Sequence, residues 1–255
     1  MCLSSAGPAK VEGRAASRSR RRAACRGACY GRSVKIAVVI PALDEAERVV
    51  GAIESAGAPE VEVVVVDGGS RDGTRQRAAA AGARVVASAP GRARQLQTGV
   101  RETRGDVVVF LHADTRLPPG FADALRASLA DPRVVGGAFR FRFDDPRLRL
   151  RVVEWGTRVR VALFRLPYGD QALFVRRSAL EGIGGVPQVP IMEDLDLVKA
   201  LRRCGRIAVL RLPVTTSARR YLAGGIFRTV LRNTAAASAW LLGLDRGRVA
   251  ARYRR

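Results

Sequence analysis

The sequence predicts an α/β protein built on a mostly parallel central sheet with helices on both faces. Three observations carry that expectation. Short Val/Ile runs are uninterrupted by polar residues, helix-patterned segments alternate with them, and acidic or glycine-bearing turns follow the runs directly. A strand that is apolar throughout, rather than at every second residue, is buried on both faces, as a parallel strand covered by crossover helices is. With 255 residues and 47% apolar content, the chain can bury one large core.

Element by element, a strand over Val34–Ile40 stops at Pro41, and a helix follows from Glu45 to Gly57. The strand Val61–Val66 runs into Asp67-Gly68-Gly69-Ser70, and a helix fills Arg71 to Ala81. A strand at Arg84–Ala87, a helix at Ala93–Thr103 and a strand at Asp106–Leu111 complete this rhythm. Beyond Asp114 the pattern changes. Val134–Phe143 reads as a strand in which Phe139, Phe141 and Phe143 alternate with Ala138, Arg140 and Arg142. An Arg-rich helix over Leu148–Phe164, a strand at Ala172–Val175, a helix at Glu193–Cys204 and a strand at Ile207–Leu212 follow. A last helix runs from Tyr221 to Leu242. Residues 1–33 show no apolar periodicity and are expected to be a disordered basic tail outside the fold. No apolar stretch reaches the roughly 18 to 20 residues that spanning a bilayer needs.

The formal charge of +22 raises nucleic-acid binding as a function. Its distribution argues against that as the main one. Lysine occurs only at Lys10, Lys35 and Lys199, so the excess is almost wholly arginine, and aromatics are only 5% of the chain. Little is available on which bases could stack. The cysteines (Cys2, Cys25, Cys29 and Cys204) have no zinc spacing and share the chain with a single histidine, so free thiols in a reducing compartment are expected.

In an open parallel sheet, ligands bind beyond the carboxyl ends of the strands. Three strand ends carry acids there: Asp44-Glu45 after Pro41-Ala42-Leu43, Asp67 before two glycines, and Asp114 after His112-Ala113. One such acid is ordinarily a helix cap. Three on adjacent strands form one acidic edge, suited to a base-reading acceptor and a metal ligand. Neither a dinucleotide GxGxxG nor a phosphate-binding GxxxxGK[ST] is present.

Five segments in order, VVIPALDEAERV, VVVVDGGSRDGT, GRARQLQTGV, GDVVVFLHADTRLP and PIMEDLDLVKAL, resemble glycosyltransferase family 2 with its GT-A fold, a three-layer sandwich. GGAFRFRFD, PYGDQALFVRR and TSARRY resemble the subgroup of radical-SAM/selenodomain-associated transferases linked to arsenosugar biosynthesis. The resemblance covers about Val34 to Arg255. It implies a nucleotide-binding half at 34–115, an acceptor-side half at 116–220 and a C-terminal helical segment at 221–255. It also implies roles. Pro41, Ala42, Leu43 and Glu45 line the nucleotide pocket, and Asp67 accepts from a nucleobase N–H. Arg94 lies near the diphosphate with Arg92 assisting. Asp114, beside Ala113, is the final acid of the D-x-D motif and holds Mg²⁺ or Mn²⁺, while His112 replaces the motif's first acid. Asp194 is the catalytic base with Glu193 as second candidate. Gly169 and Asp170 border the sugar or acceptor pocket, and Arg220, in an Arg-Arg-Tyr replacement of an R-W element, reaches the diphosphate.

The implied activity is inverting transfer from a nucleoside-diphosphate sugar, UDP-linked, to a hydroxyl acceptor. The expected setting is cytoplasmic, with peripheral contact at the inner face of a membrane through Arg147–Arg165 and Tyr221–Leu242. The alternatives are a nucleotidyltransferase, which wants a glycine-rich basic loop after the first strand, and an RNA-binding or scaffold protein with a degenerate enzyme fold.

Overall fold

The computed structural model describes residues 34–254; the segment expected to be a disordered tail lies outside them. The strands are β1 (Ile36–Ala42), β2 (Val61–Asp67), β3 (Arg84–Ala87), β4 (Val107–Phe110), β5 (Thr115–Arg116), β6 (Val134–Phe143), β7 (Leu173–Arg176) and β8 (Arg206–Thr216). They form one sheet in the order β3-β2-β1-β4-β7-β6-β8-β5. All run in one direction except β5 and β7, so the sheet is mostly parallel.

The helices are α1 (Val49–Ala56), α2 (Thr74–Ala80), α3 (Arg92–Glu102), α4 (Phe121–Leu129), α5 (Leu148–Phe164), α6 (Arg177–Gly182), α7 (Glu193–Cys204), α8 (Arg219–Gly224), α9 (Ile226–Leu241) and α10 (Arg246–Arg254). Alternate residues of each central strand feed opposite cores, as the strand period of two requires. Ile36, Val38, Ile40, Val107 and Val109 pack beneath α1, α2 and α4. Val39, Val64, Val66, Val108 and Phe110 pack beneath α3, α6 and α7. Three layers result, and the uninterrupted apolar runs are explained by burial on both sides. A third cluster, with Phe141, Phe143 and Leu150 at its centre, lies under α5 and the α8–α9 corner.

The sequence reading departs from the structure at particular places. β1 continues through Pro41, pairing Pro41 with Val66 and Ala42 with Asp67. Registered pairing with β4 already ends at Val39, so no ladder bond needs the missing Pro41 N–H. The long helix expected over Tyr221–Leu242 is two helices, because Gly225 takes φ 79°, a left-handed value no helix interior accommodates.

β6 crosses between β7 and β8 at Gly136 and Gly137. A Cβ on Gly137 would overlap the Ala208 carbonyl oxygen and stand 2.5 Å from the Phe174 ring. The first obstacle is backbone, which cannot swing aside. Gly137→Ala should therefore cost about 3 kcal/mol or more, measured as a lowered midpoint in urea unfolding.

Candidate functional site

The carboxyl ends of β2, β1 and β4 are neighbours, so the three acidic turns share one edge of the sheet. The first two turns are laced together. Asp44 N–H donates to Ser70 Oγ (2.9 Å) and Arg71 N–H to Asp44 Oδ1 (2.8 Å). Glu45 N–H donates to Thr74 Oγ1 (2.9 Å) and Ala46 N–H to Asp72 Oδ2 (3.0 Å). The polar residues after Asp67 thus orient the loop after Ala42. Below them, the Gln95 amide of α3 donates to the carbonyls of Ala42 (2.8 Å) and Val66 (2.9 Å), tying the two strand ends together. Asp67 is 1% exposed, and its carboxylate accepts the N–H groups of Gly69 (3.1 Å) and Ser70 (3.2 Å). It organises the turn; an ionised carboxylate has further lone pairs for another donor.

A second group assembles where α3, the Gly169–Gln171 turn and the start of α7 meet. Arg92 Nε stands 3.0 Å from Glu193 Oε1, a buried ionic contact without good hydrogen-bond alignment. Burial works against the Arg92 charge, but Glu193, Asp194, Asp170 and Asp114 around it raise its pKa nonetheless. The Glu193 carboxyl is pushed up by burial, with Arg92 opposing. Asp194 is held at both oxygens, Oδ2 accepting Gly169 N–H (2.7 Å) and Oδ1 accepting Leu195 N–H (2.9 Å). A Cβ on Gly169 would overlap the Arg92 guanidinium and approach Asp194 Oδ2 to 3.1 Å, so only glycine permits this convergence.

Asp114 and Glu45 meet around a second cation. Arg219 Nη2 pairs with Glu45 Oε1 and lies 3.5 Å from Asp114 Oδ2. His112 Nε2 is buried without a hydrogen-bond partner. Burial holds the His112 pKa well below its ordinary value, and the Arg92 and Arg220 charges depress it further, so the ring is neutral near pH 7.

Do these side chains fit a divalent cation? Among the described residues, no three His, Cys, Asp or Glu side chains form a cage. Asp114 offers a hard carboxylate donor, and an unprotonated imidazole with an unmet nitrogen can ligate as well. The set suits an ion that takes its other ligands from a diphosphate and water, as Mg²⁺ and Mn²⁺ sites do.

Asp170 is a second perturbed acid of this group. Its Oδ1 is buried without a partner, and burial, only partly opposed by Arg160 and Arg92, pushes its pKa up to about 6. Between about pH 4 and this value the folded chain holds a proton that the unfolded chain has lost. Stability is therefore fullest below that window and declines as pH rises through it. Asp170→Asn should remove the decline and raise stability at neutral pH by on the order of 2 kcal/mol. Urea unfolding in EDTA across that range tests this, and an unchanged pH slope in the variant refutes it.

The expected site residues are distributed as follows. Glu45, Asp114, Glu193, Asp194, Gly169 and Asp170 converge with Arg92 and Arg219. Pro41, Ala42 and Ala113 are backbone at the same edge, and Leu43 is exposed beside them. Arg94 is exposed on α3, so the arginine inside the cluster is Arg92. Arg220 is also exposed, near enough to influence His112, while its neighbour Arg219 makes the carboxylate contacts. Arg92 contacts Glu193 directly, and the sequence reading did not single out Arg219. Its signal was only adjacency to Arg220. Asp196 turns away, accepting from Trp240 Nε1 (2.7 Å) and Arg246 (3.2 Å), and so anchors α9 and α10 to α7.

The family model described as Glycosyl transferase family 2 matches residues 37–182, more than half of the chain. Glucosyl-3-phosphoglycerate synthase of Mycolicibacterium paratuberculosis is 41% identical over 93 residues, covering 31% of this chain and 28% of that protein. The Mycobacterium tuberculosis synthase is 39% identical over 93 residues with the same coverage. The match thus spans less than a third of the length of these curated relatives. The crystal structure of the M. tuberculosis synthase with Mg²⁺ and UDP superposes with a TM-score of 0.60 at 24% identity, over 89% of this chain and 84% of that one. A further structure of that synthase gives a TM-score of 0.53 at 25% identity, over 77% and 74%. The architecture is the GT-A-type α/β sandwich that the motifs implied. By its sheet, its ordered motifs and the family match over residues 37–182, this chain belongs to glycosyl transferase family 2.

Proposed function

We propose that the protein is a metal-dependent, inverting glycosyltransferase that moves a hexosyl group from a UDP-linked sugar to a hydroxyl acceptor. The observation that carries the reading is the convergence of Asp194, Glu193, Arg92, Asp170 and Asp114 on one edge of the sheet. It unites an oriented carboxylate with a metal-capable acid and diphosphate-sized positive charge. Support for the donor and ion comes from the structural neighbours, solved with UDP and Mg²⁺, and with UDP-glucose, Mn²⁺ and phosphoglyceric acid.

In this reading Asp67 and the backbone of Pro41, Ala42 and Leu43 receive the nucleoside. Asp114, with His112 beside it, holds the cation. When bound, the ion offsets the negative charge that develops on the departing diphosphate. Arg92 and Arg219 stabilise that charge from the protein side. Asp194 takes the proton of the acceptor hydroxyl as its oxygen bonds to the anomeric carbon from the face opposite the leaving group. The carbon–oxygen bond to the diphosphate breaks with its electron pair, releasing UDP, and in-line displacement inverts the centre.

The finer resemblance, to the subgroup linked to arsenosugar biosynthesis, is part of the proposal, supported by GGAFRFRFD, PYGDQALFVRR and TSARRY. So is a cytoplasmic setting, where nucleotide sugars are made, with peripheral membrane contact. No helix among the described residues is long and apolar enough to cross a membrane. The experiment is incubation with UDP-glucose and related donors in Mn²⁺, following UDP release. Pyrophosphate release from a nucleoside triphosphate and a sugar phosphate, without UDP release from any donor, would establish a nucleotidyltransferase instead.

A further inference from the structure

An ordinary surface helix has one apolar stripe, facing the core. α5 has two. Its inner face buries Leu150, Glu154 and Val161, and Val153 packs with Leu150 on the third core cluster. Its outer face carries Leu148, Val152, Trp155, Val159, Ala162 and Leu163. At about 100° per residue these six lie within an arc of about 100°. All are exposed except the half-buried Val159, with Trp155 at 65% and Leu148 at 79%.

Arginines border this outer stripe on both sides. Arg151 and Arg158 fall along one edge, and Arg149 and Arg160 along the other, each about 60° to 120° from Leu148 by the same helical count. Three of them are positioned by neighbours. Arg151 and Arg158 pair with Glu154 at 2.6 Å and 3.9 Å, and the Arg160 guanidinium lies over the Tyr168 ring at 3.2 Å.

The apolar surface continues beyond α5. Leu148 shares a groove with Leu222, Gly225 and Ile226 at the α8–α9 corner. From there α9 exposes Phe227 (81%), Leu231 and Leu241 along one side. An exposed Trp and an exposed Phe, with leucines around them, exceed the scattered apolar residues of a normal surface.

We propose that the outer face of α5, extended by the α8–α9 corner, is a docking surface for an anionic lipid bilayer. Apolar side chains enter the acyl boundary while the exposed Arg149 and Arg158 reach back to the headgroup phosphates, the arrangement of an interfacial helix. Charge selects this occupant. Ser217–Arg255 holds nine arginines against one aspartate, and α5 holds four against one glutamate. A second copy of the chain would bring like charge to like charge. Residues 1–33, with seven arginines and a lysine against one glutamate, are no better matched. A nucleic acid would meet aliphatic side chains at the centre of the face, where it needs cations or stacking rings. This inference gives the peripheral contact of the preceding section a definite surface. Its test reads lipid binding alone, so its failure leaves the transferase reading untouched.

The experiment uses the full chain and vesicles of pure phosphatidylcholine or of phosphatidylcholine with 30% phosphatidylglycerol (roughly the charge density of an anionic leaflet). Only Trp155 and Trp240 are present, and Trp240 is buried, so a shift of emission on binding reports on Trp155. Phosphatidylglycerol vesicles should retain the protein on sedimentation and shift its emission to the blue; neutral vesicles should do neither. Val152→Glu with Leu163→Glu, both at exposed positions, should weaken retention at least about tenfold and abolish the shift while the thermal melt stays cooperative. Retention with unshifted emission, or retention unchanged in the double variant, would show adsorption by scattered arginines and overturn the proposal. A concentration-dependent dimer with no vesicle binding, or retention on RNA in place of vesicles, would overturn it as well.

Discussion

Replacing Asp194 by Asn should slow sugar transfer by about 10²- to 10⁴-fold, the range expected when a general base is lost. Two readings of this residue diverge. If Asp194 is only a favourable charge at the start of α7, its loss costs about 1 kcal/mol of stability and turnover is little changed. The proposed mechanism gives it a second duty. Both oxygens are fixed by backbone donors, Gly169 N–H and Leu195 N–H, so the carboxylate cannot rotate away from the cluster. Asn can still accept one of these bonds but must turn its NH₂ toward the other donor. A modest drop in melting temperature is therefore expected beside the large kinetic loss. UDP affinity in Mn²⁺ should stay near that of the parent protein, because the proposed reading gives those contacts to Asp67 and Asp114 on other strand ends. The comparison requires kcat with a saturating donor, or slow donor hydrolysis where no acceptor is at hand. Undiminished turnover with a normal melt would remove Asp194 from the mechanism. Glu193 would then be next, although its contact with Arg92 marks it first as a partner of that arginine.

How much of this site the sequence disclosed follows from which features have a one-dimensional signature. Strands buried on both faces are uninterrupted Val/Ile runs, so β1, β2 and β4, and hence the acids after them, could be placed by reading alone. Asp67, Asp114 and the Glu193-Asp194 pair stand where the pattern put them. The choice between arginines did not follow, because Arg94 and Arg220 rest on resemblance to family motifs, and a motif position does not say which of two nearby side chains turns inward. In α3, which begins after Gly91, Arg92 is the residue turned among the carboxylates. At the start of α8 it is Arg219, not Arg220, that contacts Glu45 and Asp114. The facing of α5 was hidden for a different reason. Both its faces are apolar, so period alone cannot say which valines are buried, and Val152 and Leu163 point outward. Glycines with positive φ are likewise silent in a hydrophobic pattern, and Gly225 divides what reads as one helix.

Asp114→Asn should weaken nucleotide binding in Mn²⁺ by about 100-fold or more and leave binding in EDTA unchanged. The magnitude follows because even residues behind a metal's ligands cost about 10- to 100-fold when replaced, and a direct ligand costs more. Arg219 lies beside Asp114 and Glu45 and partly balances both. Removing the Asp114 charge leaves Arg219 paired with Glu45, so no cation is stranded and the fold should persist with a near-normal melt. In the proposed reading, what is lost is the carboxylate that joins a diphosphate in holding an ion. His112, neutral and with Nε2 unmet, would be a weaker second ligand, and among the described residues no three such side chains form a protein cage. An amide oxygen at position 114 still coordinates but brings no negative charge, and the affinity of a hard divalent ion for such a sparse site depends on that charge. Calorimetry of UDP binding with and without Mn²⁺ separates the outcomes. Equal UDP affinity in EDTA and Mn²⁺ for the parent protein would remove the ion from donor binding altogether. A metal-dependent affinity that survives in Asp114→Asn would move the ion to another ligand set, with Glu45 and His112 the first residues to replace.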